Sequence, residues 1–74
     1  MELDPVKQEL LESDDDFRSL YEEHKQCKER LVTLRHKSLL SEDDEMEMKR
    51  IKLHKLSLKD RMETLARERV QAVA

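Results

Sequence analysis

Residues 48–65 carry an apolar side chain at nearly every third or fourth position, and this spacing constrains the fold more than any other feature. The members of this stripe, with Lys55 filling its one polar place, are Met48, Ile51, Leu58, Met62 and Leu65. Intervals of three and four place such side chains along one side of an α-helix, where a second helix can pack. The sequence therefore predicts a helix that needs a partner.

Residues 17–38 provide a stripe of matching length. Its spacing alternates between three and four through Phe17, Leu20, His24, Cys27, Leu31, Leu34 and Ser38. This alternation is typical of a coiled-coil seam. A fold point near Ser41 places Leu31 opposite Ile51 and Leu20 opposite Met62. We therefore predict an all-α fold: an antiparallel, coiled-coil-like two-helix hairpin with a short N-terminal helix.

The composition agrees with an all-helical chain and indicates that it associates with itself. The 74 residues include no Gly and one Pro, and 45% are charged. A chain this short has a small core and usually needs further stabilisation. Its single Cys cannot form an internal disulfide, so either oligomerisation, with a dimer preferred, or very regular helix packing remains. The short apolar runs predict no membrane span and the acidic start predicts no secretory signal. The lone Cys is compatible with a reducing cytoplasm.

Helix-start signals divide the chain. Asp4-Pro5 predicts a short helix near residues 5–12, so residues 1–14 form an N-terminal helix and acidic linker. Residues 15–70 form the hairpin, with helices near 15–38 and 42–69 and a turn near 39–43. Ser41 and Asp44 have the spacing of a capping box. Residues 71–74 show weak periodicity and are expected to fray.

Three apolar residues of the third helix lie outside its stripe. At 100° per residue, Met46, Leu53 and Leu56 fall well over 100° away from it, on a second face. Either the first helix or a second chain must cover this face. A homodimer forming a four-helix bundle is the simpler solution, and a helix of another protein could bind there instead. These three residues are the predicted partner-binding site.

The sequence does not indicate a catalytic, cofactor or metal site. His24 and Cys27 share one helix face, but zinc requires three or four ligands. Lys55 lies close enough to activate the thiol of Cys27, although a Lys at a seam position is as readily explained by packing or by register. The chain lacks a catalytic triad, a glycine-rich phosphate loop and an H-E-x-x-H motif. We expect a protein that is not an enzyme and has no small-molecule substrate.

A basic surface on the third helix supports an alternative function. Lys49, Arg50, Lys52 and Lys59 lie within a short stretch, and such a field of positive charge can bind phosphate backbones. The net charge of −3 and the scarcity of aromatic residues argue against nucleic acid. Nucleic-acid association is therefore the second hypothesis, after protein interaction.

Two stretches of the sequence carry a resemblance to a known family. One reads Phe17-x-x-Leu20-x-x-x-His24, and the other runs from Lys49 to Asp60 and reads K-R-I-K-x-x-K-L-x-L-K-D. With these stretches, residues 17–65 resemble the YdcH-like family of small bacterial helical-hairpin proteins, a domain of unknown function. This sequence has Cys27 where the family tends to Leu, and Leu53 where it tends to a polar residue. The resemblance implies a cytoplasmic helical hairpin with no established activity.

Overall fold

A computed structural model describes residues 4–73, which form three α-helices. The helices are α1 (Pro5–Ser13), α2 (Asp15–Arg35) and α3 (Glu42–Val73), and residues 4–73 contain no strand. The molecule measures 50 × 18 × 16 Å along its principal axes. The prediction of an all-helical chain is therefore confirmed.

Aspartates start the first two helices. The Asp4 carboxylate accepts a hydrogen bond from the Lys7 backbone N–H at 2.9 Å, and Pro5 follows at the first helical position. The Asp14 carboxylate accepts from the Phe17 N–H at 3.0 Å. Asp14 also ends α1, because its own N–H donates to the Leu10 carbonyl at 2.8 Å. One residue thus closes α1 and opens α2.

The predicted capping box at the start of α3 is confirmed. The Asp44 N–H donates to the Ser41 hydroxyl, and the Ser41 N–H donates to the Asp44 carboxylate, both at 3.1 Å. Two amides that have no partner within the helix are satisfied in this way. Four acidic residues in the first turn of α3 also favour its N-terminus electrostatically: Glu42, Asp43, Asp44 and Glu45.

The connection between α2 and α3 lies earlier than the turn expected near residues 39–43. Helix α2 ends at Arg35 rather than near residue 38, and residues 36–41 connect the two helices. The His36 N–H donates to the Val32 and Thr33 carbonyls at 3.1 and 3.3 Å, and the Lys37 N–H donates to Leu34 at 3.2 Å. The bonds to Thr33 and Leu34 reach only three residues back, and they tighten the last turn and end the helix.

At the other end, α3 continues to Val73, through residues 71–73 that we expected to be frayed. No Gly or Pro interrupts this stretch, and Gln71 and Ala72 favour helix. Residue 74, the last of the segment that was expected to fray, lies outside the described residues. Residues 1–3 of the N-terminal segment lie outside them too.

The buried residues come mainly from the two stripes. One cluster contains Phe17 and Leu20 of α2, Leu58 and Met62 of α3, and Leu10 of α1. At its far end the buried α3 residue is Ala66, whereas Leu65, the expected member of the stripe, is half-buried. An α-helix with 3.6 residues per turn drifts by about 20° per heptad from a 3.5 repeat, which moves the buried side to the next residue.

Helix α1 packs against both of the longer helices. Besides Leu10 in the cluster, two ion pairs join α1 to α3. Lys7 pairs with Glu63, and Arg69 Nη2 lies 2.6 Å from a carboxylate oxygen of Glu9. Arg18 of α2 donates to the carbonyls of Leu11 and Glu12 at 3.0 and 2.9 Å. These contacts fix α1 beside the C-terminal part of α3.

Candidate interaction surfaces

The three apolar residues predicted to bind a partner remain uncovered. Leu53 is 70% exposed, Leu56 56% and Met46 52%. Helix α1 does not cover them, because its ion pairs reach only Glu63 and Arg69 at the far end of α3. Of the two solutions offered by the sequence, coverage by the first helix is therefore not what the structure shows. We refer to Met46, Leu53 and Leu56 as the outer apolar face.

The helical repeat explains why this face and the core do not merge. Leu58 and Met62 are fully buried on the side of α3 that packs against α2. At 100° per residue, Leu53 falls almost opposite that side. A helix of 32 residues that packs against only one neighbour along most of its length leaves such a side open.

The four basic residues predicted as a charged surface are all exposed. Lys49, Arg50, Lys52 and Lys59 form no ion pair with other residues in the range 4–73. Lys52 and Lys59 lie one heptad apart and so share a side of the helix. Their positive charge is available to an approaching anionic group.

Two polar members of the α2 seam, His24 and Cys27, are buried to different degrees. His24 is buried, and this burial, reinforced by the positive charge of Lys55 and then of Lys28 and Lys59, lowers the pKa of its imidazole below the ordinary 6.5. A neutral imidazole fits such a site. Cys27 is half-buried and packs against the core cluster as a free thiol. No group of three or more His, Cys, Asp or Glu side chains in the described part of the chain could hold a metal ion.

Sequence reasoning missed an open groove of mixed character between α2 and α3. It has a volume of about 550 Å³. Its lining consists of Asp16, Ser19, Leu20, Glu23, Asp60, Arg61, Thr64 and Leu65. Its two sides come from residues more than thirty-five positions apart, so no local motif marks it. The groove shows carboxylates beside a guanidinium group, which can bind water or a polar side chain.

The buried Lys7 was also missed. Periodicity assigns a lysine to the solvent side of a helix, and the only available signal was its position one residue after Val6 and three before Leu10.

None of the helices, over the residues the structure describes, is long and apolar enough to cross a membrane.

These features define a small all-helical protein whose distinctive surface is an uncovered face of its longest helix. The chain belongs to the family described as "Protein of unknown function (DUF465)", whose model matches residues 17–66. This confirms the resemblance to the YdcH-like family, since both motif stretches fall within the matched residues. No curated protein and no solved structure matches the chain.

Proposed function

We propose that this protein is a non-enzymatic helical interaction module that associates with a second copy of itself through the outer apolar face. The observation that carries the proposal is the exposure of Leu53 together with Met46 and Leu56, on a side of α3 that α1 does not cover. As part of the proposal the protein is a homodimer in the bacterial cytoplasm, where its lone Cys27 stays reduced.

An antiparallel hairpin of α2 and α3 is the proposed unit of assembly. Three contacts support it, one from the connection to α3 and two from α2 to α3. Lys37 Nζ lies 3.0 Å from Asp44, Arg30 Nη2 lies 2.9 Å from Glu47, and His54 Nε2 lies 3.7 Å from Glu23. Each contact is farther from the connection than the one before it on both helices, as expected when two consecutive helices run in opposite directions.

Burial of the outer apolar face would contribute appreciably to a chain of this size. Removing a leucine side chain from water stabilises by roughly 1.5–3 kcal/mol, and in a symmetric dimer each residue counts twice. Native domains are stable by only about 5–15 kcal/mol, so this contribution is a substantial fraction. In such a dimer the two α3 helices are in contact and the two α2 helices lie outside them.

Self-association is tested by replacing the two leucines. We expect Leu53→Glu with Leu56→Glu to convert a concentration-dependent dimer into a monomer, as measured by light scattering on a sizing column over a dilution series. The matched control is Gln26→Glu with Val32→Glu, which adds the same two charges at exposed positions of α2. An unchanged oligomeric state in the leucine variant, or a wild-type chain that is monomeric at every concentration, would overturn the proposal.

A helix from a different protein is the alternative partner for the outer apolar face. An amphipathic helix can lay its apolar side along such a surface. The leucine variant would then lose that partner without any change in its own mass.

Nucleic-acid association is the second candidate function. It is favoured by the exposure of Lys49, Arg50, Lys52 and Lys59, none of which is paired within residues 4–73. Binding of this kind weakens steeply with salt. Absence of a mobility shift of duplex and single-stranded probes at low salt would eliminate it, and a shift would have to disappear when Lys52 and Lys59 are replaced by Glu.

A further inference from the structure

The outer apolar face is part of a longer stripe with the spacing of a coiled-coil seam. Starting at Met46, steps of three and four residues along α3 lead through a series of apolar and charged side chains. Every one of them except the half-buried Glu63 is exposed. The stripe consists of Met46, Lys49, Leu53, Leu56, Asp60, Glu63, Arg67 and Val70, with Glu42 one step before it. This is a second seam on α3, and only its member Asp60 also borders the groove shared with α2.

We propose that two copies pack along this second seam in antiparallel orientation, with the two-fold axis between Leu53 and Leu56. The inference rests on the proposed self-association and adds its orientation and register. In antiparallel coiled coils the two kinds of seam position face each other, so Leu53 packs against Leu56 of the partner subunit, and Leu56 against the partner's Leu53. The two-fold axis makes the contact self-complementary.

Charge complementarity along the stripe carries this choice of register. With Leu53 opposite Leu56, each step towards the N-terminus of one chain is matched by a step towards the C-terminus of the other. Lys49 then faces Asp60 of the partner subunit, and Glu42 faces Arg67 of the partner subunit. Each contact occurs twice, giving four pairs of opposite charge. The four side chains are exposed and form no ion pair with other residues of the described range 4–73.

A parallel, in-register pair would have the opposite electrostatics. Lys49 would face the partner's Lys49, Asp60 the partner's Asp60, and Arg67 the partner's Arg67. Like charges at facing seam positions are unfavourable and select against that orientation. The same exposed residues therefore repel in one orientation and attract in the other.

The remaining layers are compatible with the antiparallel register. Met46 faces Glu63 of the partner subunit, and the Glu63 carboxylate is already paired with Lys7 of its own chain. Farther out, the exposed Val70 approaches the partner's connection between α2 and α3, where Leu39 is the most exposed of the large apolar residues described. Two apolar residues that are exposed in one chain are thus brought towards each other in the dimer.

The register is tested by reversing one charge at a time and measuring the dimer dissociation constant by sedimentation equilibrium at low salt. We expect Lys49→Glu and Asp60→Lys each to raise the dissociation constant about tenfold, because each creates two like-charge contacts. Combining Lys49→Glu with Asp60→Lys reverses both members of each pair and restores the dissociation constant to near the wild-type value.

The control combines Lys25→Glu with Asp60→Lys. It has the same net charge as the restoring variant, but Lys25 lies exposed on α2, so association remains weak. Dissociation constants that stay constant across the whole charge series, while Leu53→Glu with Leu56→Glu abolishes the dimer, overturn the register and leave self-association intact. Failure of the wild type to dimerise overturns both.

Discussion

The ammonium group of Lys7 in α1 contacts the carboxylate of Glu63 in α3, although the two residues are 56 positions apart. The Lys7 side chain is only 9% exposed, whereas that of Glu63 is 40% exposed. Lysine is rarely buried to this degree unless its charge is paired. The pair therefore specifies where α1 docks, in a position that apolar contacts alone would leave less defined.

The asymmetry of this ion pair predicts unequal effects of removing its two members. We expect Glu63→Gln to lower the free energy of unfolding by about 1–2 kcal/mol, because it leaves the buried Lys7 ammonium without a counter-charge. Lys7→Met keeps the length of the side chain and leaves only a half-exposed carboxylate, so its effect is smaller. Urea unfolding at one fixed protein concentration measures both, since self-association shifts apparent stability. A larger loss for Lys7→Met would contradict this account.

Arg18, near the start of α2, forms hydrogen bonds with the last turn of α1. Its guanidinium group donates to the Leu11 and Glu12 carbonyls, which lack partners within the helix. We expect Arg18→Ala to lower the stability of α1 by about 1 kcal/mol, seen as faster amide hydrogen exchange in residues 5–13 with little change in the middle of α3. Arg18→Lys should recover only part of the protection, because an ammonium group does not reproduce the planar fork. Uniformly faster exchange throughout would refute the local role.

Asp14 provides a test of capping, because it ends one helix and begins the next. Asp14→Ala removes the acceptor for the Phe17 N–H, and we expect it to lower the free energy of unfolding by about 1 kcal/mol. Asp14→Asn keeps an acceptor oxygen and should retain most of the stability. Thermal or urea unfolding distinguishes the two, and equal losses would show that the charge, rather than the hydrogen bond, is what matters.

The buried His24 predicts a stability that falls on mild acidification. Its pKa in the folded protein is lowered, chiefly by burial and then by Lys55, so the unfolded chain binds the proton more tightly. Stability from this residue is therefore complete above about pH 6.5 and is lost as the pH falls from there through the lowered pKa. Urea unfolding at several pH values should show this loss in the wild type and not in His24→Leu.

Titration followed by NMR gives a direct check on His24. Its imidazole resonances should move with a midpoint below 6.5. The exposed His36 offers the control substitution, since His36→Gln should leave the titration of His24 unchanged. A midpoint for His24 at or above 6.5 would contradict the assignment of a neutral, desolvated ring.

Much of the fold could be predicted because its determinants are local and periodic. The alternation from Phe17 to Leu34 identifies the buried side of α2, and the spacing of Ser41 and Asp44 identifies the start of α3. The end of α2 was harder to place. No Gly marks it, and the bonds that end it, from His36 and Lys37 to carbonyls three residues back, have no sequence signature.

The docking of α1 could not be predicted for a different reason. The three apolar residues Val6, Leu10 and Leu11 are too few to select one docking site for α1. The site also depends on the ion pair between Lys7 of α1 and Glu63 of α3. The outer apolar face was predictable, since Leu53 and Leu56 fall outside the periodic stripe. The partner that we propose for that face is not identified by the periodicity of one chain.

The separation of Lys7 from Glu63 also has a consequence for the order of folding. Contacts between α2 and α3 near the connection close short loops, whereas the Lys7–Glu63 contact closes almost the whole described chain. Closing a longer loop has a greater entropic cost, so contacts near the connection form early and α1 docks late. By the same reasoning, the end of the molecule that holds both α1 and the last turns of α3 is the first part to open when the protein fluctuates.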